Sequence, residues 1–319
     1  MTRAFVTGGD GFVAQWAIRA MLDRGWTVTA AGLGESLCSS VLDAEQRARV
    51  DWRRMDVTRQ EAVADTVEYA RPDVVLHLAA VSHVPDAMRN PAYAYEVNTV
   101  GTVRLLAEVR RLRLAGTADP VVLVVGSAEQ YGRHESNEMP LNEDVAQRPL
   151  TVYAASKVAQ EIAALQSFRS DGVRVVCSRS FNHSGVGHGA QFLVPGLVAR
   201  ARSLPGSGGQ LLIGNGDTVR DFLHVTDVVE AYLSLLDRGH PGEAYNVGSG
   251  VGVSVRDLAS TVLQRLGISA DISSDPALAR PVDVPVLVGS NRKLRLATGW
   301  APRRTRNDII DDLIHAATR

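Results

Sequence analysis

The feature that most constrains this 319-residue chain is an alternation of short β-branched apolar runs with longer stretches of helical period. A strand buried on both faces reads as a near-continuous apolar run, and parallel neighbours need a long crossover between them, so the pattern calls for a parallel sheet covered by helices. The runs RAFVT, TVTAA, a weaker VDWRRMD, DVVLHLAA, PVVLVVGS and VRVVCSRS predict strands. A long helix is expected from Asn90 to Leu114, where Val97, Val100, Val103, Leu106 and Val109 recur at helical spacing. Another is expected from about Thr151, whose hydroxyl suits a cap, until Asp171 and Gly172 stop it.

The expected fold class is α/β: a doubly wound Rossmann parallel sheet over residues 1–180. Beyond Phe181 the regularity fails. Loop punctuation at GVGHG, PGSGG and GNGD precedes helices from about Val225 to Arg238 and Ser254 to Leu266, and a basic helix near Thr305. Residues 181–319 are expected to form a smaller mixed α/β substrate lobe, interleaved with the first region and packed over the carboxyl edge of the sheet.

Composition excludes several roles. Lys and Arg number 34 against 35 Asp and Glu, a net charge of -1, so no basic excess exists to neutralise a nucleic acid. Two cysteines far apart do not make a disulfide framework, and Cys177, inside an apolar run, is expected as a buried thiol. The first strand begins almost at Met1 and no run approaches the ~20 apolar residues of a membrane span, so a cytoplasmic protein without a membrane partner is expected. No H-x-x-H or C-x-x-C spacing suggests a metal.

Directly after the first strand comes Thr7-Gly8-Gly9-Asp10-Gly11-Phe12-Val13-Ala14, followed by an apolar-periodic helix. Glycines there permit a tight turn, let backbone approach a pyrophosphate and aim helix N-terminal amides at its charge. Gly8, Gly9, Gly11, Phe12 and Val13 are therefore expected to hold a dinucleotide, with Ala14 as the small residue for close helix packing. Glu35 is the nearest acid after strand two and is expected at a ribose hydroxyl. Arg53 and Arg54, closing the third strand, leave NAD(H) and NADP(H) both open. Asp56 and Val57 are expected beside the adenine, and the Leu78-Ala79-Ala80 turn beside the nicotinamide ribose.

Tyr153 and Lys157 stand four apart in a helical segment, so both side chains project from one face and can meet at one reacting atom. A phenol, which ordinarily titrates at about pH 10, exchanges a proton at neutral pH only with help, which a neighbouring ammonium and an oxidised nicotinamide both give. Ser127, ending strand five, is expected to hold the same substrate oxygen. Glu129, two residues on, is placed to move a proton at a neighbouring sugar carbon.

The segments TGGDGF, HLAA, GSAEQYG, YAASK, SFNHSG, VRDFLHVTDVVEAY, AYNVGSG and RPVDVP together resemble the extended short-chain dehydrogenase/reductase family over nearly the whole chain. Within it, Phe181-Asn182-His183, Ser127-Ala128-Glu129 and the tail from Arg280 are similar to enzymes of GDP-hexoses, the 4-keto-6-deoxy-mannose reductases first and the mannose 4,6-dehydratases next. The resemblance implies that Ser127, Tyr153 and Lys157 are catalytic. It implies a GDP-sugar substrate held by Ser82, Ser127, Asn182, Val194, Arg220, Arg280 and Asp283, and a homodimer paired through the helices near Val100 and Val158. His83, His183, His224 and Asp227 read as structural hydrogen-bonders. The glutamine-containing first loop and the arginine-rich loop of the dehydratases are absent here, which favours reduction of a C4 keto group, for example to GDP-rhamnose. Dehydration using Glu129, 4-epimerisation and a catalytically idle dinucleotide sensor are the alternatives.

Overall fold

The computed structural model describes residues 1–38, 40–205, 208–279 and 283–316. In chain order the elements are β1 (Arg3–Thr7), α1 (Phe12–Asp23), β2 (Thr27–Gly32), α2 (Ala44–Ala48), β3 (Val50–Arg54), α3 (Gln60–Ala70), β4 (Val74–His77), α4 (Val84–Arg89), α5 (Pro91–Tyr95), α6 (Gly101–Leu114), β5 (Val121–Ser127), α7 (Val152–Asp171) and β6 (Arg174–Ser180). There follow β7 (Asn182–Ser184), α8 (Leu193–Arg202), β8 (Gln210–Ile213), β9 (Val219–His224), α9 (Val225–Arg238), β10 (Ala244–Val247), β11 (Gly252–Ser254), α10 (Val255–Leu266), β12 (Asp271–Ser274), β13 (Val286–Leu287), α11 (Arg292–Thr298) and α12 (Arg306–Ala316).

Seven parallel strands form the central sheet in the order β10-β6-β5-β4-β1-β2-β3, the parallel α/β arrangement expected from the alternation. Chain progression reverses between β1 and β4, and the crevice outside the carboxyl ends of strands at such a reversal is where open α/β sheets bind ligands. One face is packed by Ile18 and Met21 of α1 and Tyr232 and Leu235 of α9. The other is packed by Val63 and Val67 of α3, Leu105, Val109 and Leu112 of α6, and Ala164 of α7. Residues after Ser180 re-enter this sheet, because α9 covers it and β10 extends it beside β6. The seventh strand, AYNV, was not among the runs expected as strands: it is four residues long and its Asn246 breaks the apolar pattern. A second core, with Val194, Leu197, Phe222, Leu258, Val262 and Ile310, organises α8, β9, α10 and α12 around the smaller sheets.

Three local expectations are corrected. The path from Asn90 to Leu114 is helical, but Glu96–Val100 is a π-helical turn between α5 and α6. Val100 and Val103 are 36% and 46% exposed rather than facing inward with Val97, Leu106 and Val109. Each step of three residues falls about 60° short of a full turn, so such a series winds off the buried face. The C-terminal helix is acidic, not basic: α12 carries Asp308, Asp311 and Asp312, and Arg303 and Arg304 precede it. Finally, β4 stops at His77 and β3 at Arg54, so Leu78-Ala79-Ala80 and Asp56-Val57 lie in the connections that follow, over the crevice.

Candidate active site

At the switch point, Gly8 sits at φ 65° with its α-carbon so close to the next connection that a Cβ there would stand 2.8 Å from the Ala79 amide nitrogen. Only glycine fits both the left-handed backbone and the gap. Gly11 caps α1 without a side-chain acceptor, and the first turn holds no acid, so its amides remain directed at an incoming anion. The crevice is a cavity of about 550 Å³ lined in part by Gly8, Asp56, Val57, Ala79, Ala80 and Ser82, all expected from the sequence. Gly9 is buried against Ala30 and Trp52. Val13 and Leu78 pack against the core, and Phe12 leaves the turn toward the second lobe. This cradle fits a dinucleotide pyrophosphate. Glu35 does not line the cavity: it is exposed and ion-paired with Arg54 at 2.9 Å. Arg53 instead lies over the ring of Tyr69, 3.5 Å from its centroid.

The reacting groups meet where β5 and α7 converge. Thr151 caps α7 by accepting the Ala154 amide at 3.1 Å, which sets the register of Tyr153 and Lys157 one turn apart. Tyr153 is 9% exposed; burial pushes its phenol up to about 12, against the opposing effect of a hydrogen bond with Ser127, while the Glu129 charge adds to the rise. Ser127 also caps the following short helix, its Oγ accepting the Glu129 amide at 3.2 Å. Lys157 is wholly enclosed. Its Nζ donates to the Val125 carbonyl at 2.8 Å and to Gln160 Oε1 at 2.9 Å, and burial brings its pKa down to about 7.

Sequence reading missed the groups that hold these in place. Gln160 Nε2 donates to Thr102 Oγ1, which also meets His77 Nε2; His77 Nδ1 meets Thr7 Oγ1, which in turn accepts the Ala79 amide. A buried polar chain thus runs from Lys157 to the turn under the crevice. Beneath Ser127, Gln130 accepts the Ser127 amide at 2.7 Å and donates to Glu161 at 2.9 Å, and Glu161 forms a two-pronged ion pair with Arg179 at 2.7 and 3.0 Å. The spacing of Gln160 and Glu161 from Lys157 was visible, but which face would be buried was not.

In the second lobe Arg220 is 7% exposed and ion-paired with Asp283, so the expected phosphate and ribose ligands touch each other. Asn182 is half-buried on β7, paired with Phe222 of β9. Val194 is buried in the second core. Arg280 lies outside the described residues. His224 caps α9 through Thr226, Asp227 Oδ2 accepts the Arg303 and Arg304 amides, and His183 bonds the Phe181 carbonyl. The lobes are stitched together by a stack: His188 lies between Phe12 (centroids 4.4 Å apart) and Phe192 (4.2 Å).

With a dinucleotide cradle at the switch point and a phenol and an ammonium one turn apart beside it, the fold and site are those of an extended short-chain dehydrogenase/reductase. Comparison narrows the class. Residues 5–313 match the GDP-mannose 4,6 dehydratase family, and the chain belongs to that family. It is 36% identical over 236 residues to a GDP-6-deoxy-D-mannose reductase of Pseudomonas aeruginosa, covering 73% of this chain and 76% of that protein. A GDP-6-deoxy-D-talose 4-dehydrogenase of Aggregatibacter actinomycetemcomitans is 30% identical, with 92% and 90% covered. The solved structure of RMD from Pseudomonas aeruginosa complexed with NADPH superposes with a TM-score of 0.81 at 30% identity over 99% of this chain and 98% of that one. These relatives are sugar-nucleotide oxidoreductases.

Proposed function

We propose that the protein is an NAD(P)H-dependent reductase of the C4 keto group of a GDP-4-keto-6-deoxyhexose, with a product such as GDP-rhamnose. The observation that carries this reading is the placing of Tyr153 and enclosed Lys157 one turn apart on α7, against the end of β5 that carries Ser127, in a chain similar to a GDP-6-deoxy-D-mannose reductase. The nicotinamide, when bound by the glycine turn, supplies the hydride. Tyr153 supplies the proton: with its phenol held near 12, it stays protonated at neutral pH, as a general acid must. Ser127 fixes the carbonyl oxygen within reach of that proton. Arg220, with Arg280 and Asp283, holds the diphosphate and ribose, since a guanidinium matches phosphate oxygens and a carboxylate accepts from hydroxyls. Asn182 and Ser82 line the sugar's approach. A homodimer forms through α6 and α7, whose outer faces carry exposed Val103 and Ile162, with exposed Val100 just ahead of α6.

One observation favours a second reading, GDP-mannose 4,6-dehydration. Glu129 lies in the short helix that Ser127 caps, two residues from it, so a carboxylate that could take a proton from a neighbouring sugar carbon follows directly on the catalytic serine. Purified protein offered GDP-mannose, and separately the 4-keto-6-deoxy sugar with reduced cofactor, decides the matter. Net cofactor oxidation only with the keto sugar is expected. Conversion of GDP-mannose without net cofactor use, abolished in Glu129→Gln, overturns the reductase in favour of the dehydratase.

A further inference from the structure

We propose that Asp10, inside the glycine turn, reads the adenosine ribose and makes the protein select NAD(H) over NADP(H). The inference rests on the dinucleotide reading of the crevice and deepens it. In this fold the ribose next to the adenine lies at the carboxyl end of β2, where an acid accepts from its hydroxyls and an arginine receives a 2′-phosphate. The acid that follows β2 in sequence, Glu35, is turned out to solvent on Arg54, and neither lines the cavity. The carboxylate that reaches the place comes from the turn after β1.

Its position is built. Asp10 Oδ2 accepts the Gly34 amide at 3.1 Å, and a Cβ on Gly32, the last residue of β2, would stand 2.5 Å from Asp10 Oδ1. The side chain therefore lies across the strand end, in the space that Gly32 leaves by having no Cβ. Asp10, Gly32 and Leu33 all line the cavity. Its charge is one-sided as well: among the described lining residues Asp10, Asp56 and Asp86 stand against one guanidinium, that of Arg89, which is itself paired with Asp86. A ribose hydroxyl donates to such a carboxylate. A 2′-phosphate in its stead brings up to two further negative charges into a negative crevice with no unengaged arginine among the described lining residues.

Equilibrium binding of NADH and NADPH to the sugar-free protein, read by nicotinamide fluorescence, tests this without reference to turnover. NADH is expected to bind on the order of 10- to 100-fold more tightly than NADPH. Asp10→Asn keeps an acceptor for the Gly34 amide but removes the charge, and is expected to shrink that ratio about tenfold, chiefly by strengthening NADPH. Equal or tighter binding of NADPH by the unaltered protein overturns the proposal. So does a ratio unchanged in Asp10→Asn, or one that collapses in Glu35→Gln instead. Binding of neither dinucleotide overturns it together with the redox reading, whereas binding of NADH with no turnover of any sugar leaves Asp10 assigned and moves only the substrate.

Discussion

Tyr153 and Lys157 show how burial, rather than residue type, sets the protons of this site. The same enclosure that raises the phenol to about 12 lowers the ammonium to about 7 from its ordinary 10.5. Tyr153→Phe is expected to cut turnover by about 10²- to 10⁴-fold while dinucleotide affinity stays within about threefold, measured by steady-state kinetics and fluorescence titration. An unchanged rate would mean that another group is the acid. The lysine shift has a consequence for stability. Between pH 7 and 10.5 the unfolded chain holds a proton on Lys157 that the folded chain has released, so stability contributed by this group rises with pH across that window. Lys157→Met is expected to flatten that rise in urea midpoints of the cofactor-free protein. His77, lowered to about 3 by burial first and the Lys157 charge second, works in the acid range: the unfolded chain takes up its proton between pH 6.5 and 3 while the folded chain does not, so stability is lost as the pH drops through that range.

Among elements, α7 was the most legible in sequence, because its start and stop are local chemistry. Thr151 caps it and Gly172, at φ 68°, ends it. Thr151→Ala is expected to cost about 1 kcal/mol in unfolding free energy. Its kinetic effect should exceed its stability effect, since the first turn carries Tyr153; equal kinetics in the variant would show that packing alone fixes the helix. The helix before it was less legible. Val100 and Val103 fit the three-residue spacing as well as Leu106 does, yet they lie on the exposed side of a path that is itself interrupted by the π-helical turn at Glu96–Val100. That turn also carries Asn98, whose side chain bonds both the Val81 backbone and Ser156, tying the crevice wall to α7. No periodicity reports such a bond.

For the whole molecule, the interlock between lobes is what turns a sheet and a set of loops into one crevice. The stack of Phe12, His188 and Phe192, with Trp16 Nε1 donating to the Val186 carbonyl at 2.9 Å, fastens the glycine turn and α1 to the loop ahead of α8. The outward apolar side chains of α6 and α7 set the assembly expectation. Val103→Glu combined with Ile162→Glu is expected to give monomers in sedimentation velocity where the unaltered protein sediments as a dimer; an unaltered protein that is already monomeric removes the pairing proposal. By itself, the sequence determined the strand and helix alternation, the glycine turn and the spacing of Tyr153 from Lys157, because each depends on neighbours within one or two turns of chain. Only the tertiary structure decided that β10 completes the sheet, that Gln160, His77 and Arg179 stand behind the catalytic groups, and that Asp10 rather than Glu35 faces the crevice. Those outcomes turn on which side chain is enclosed and by what, and burial is a property of elements far apart in sequence meeting in space.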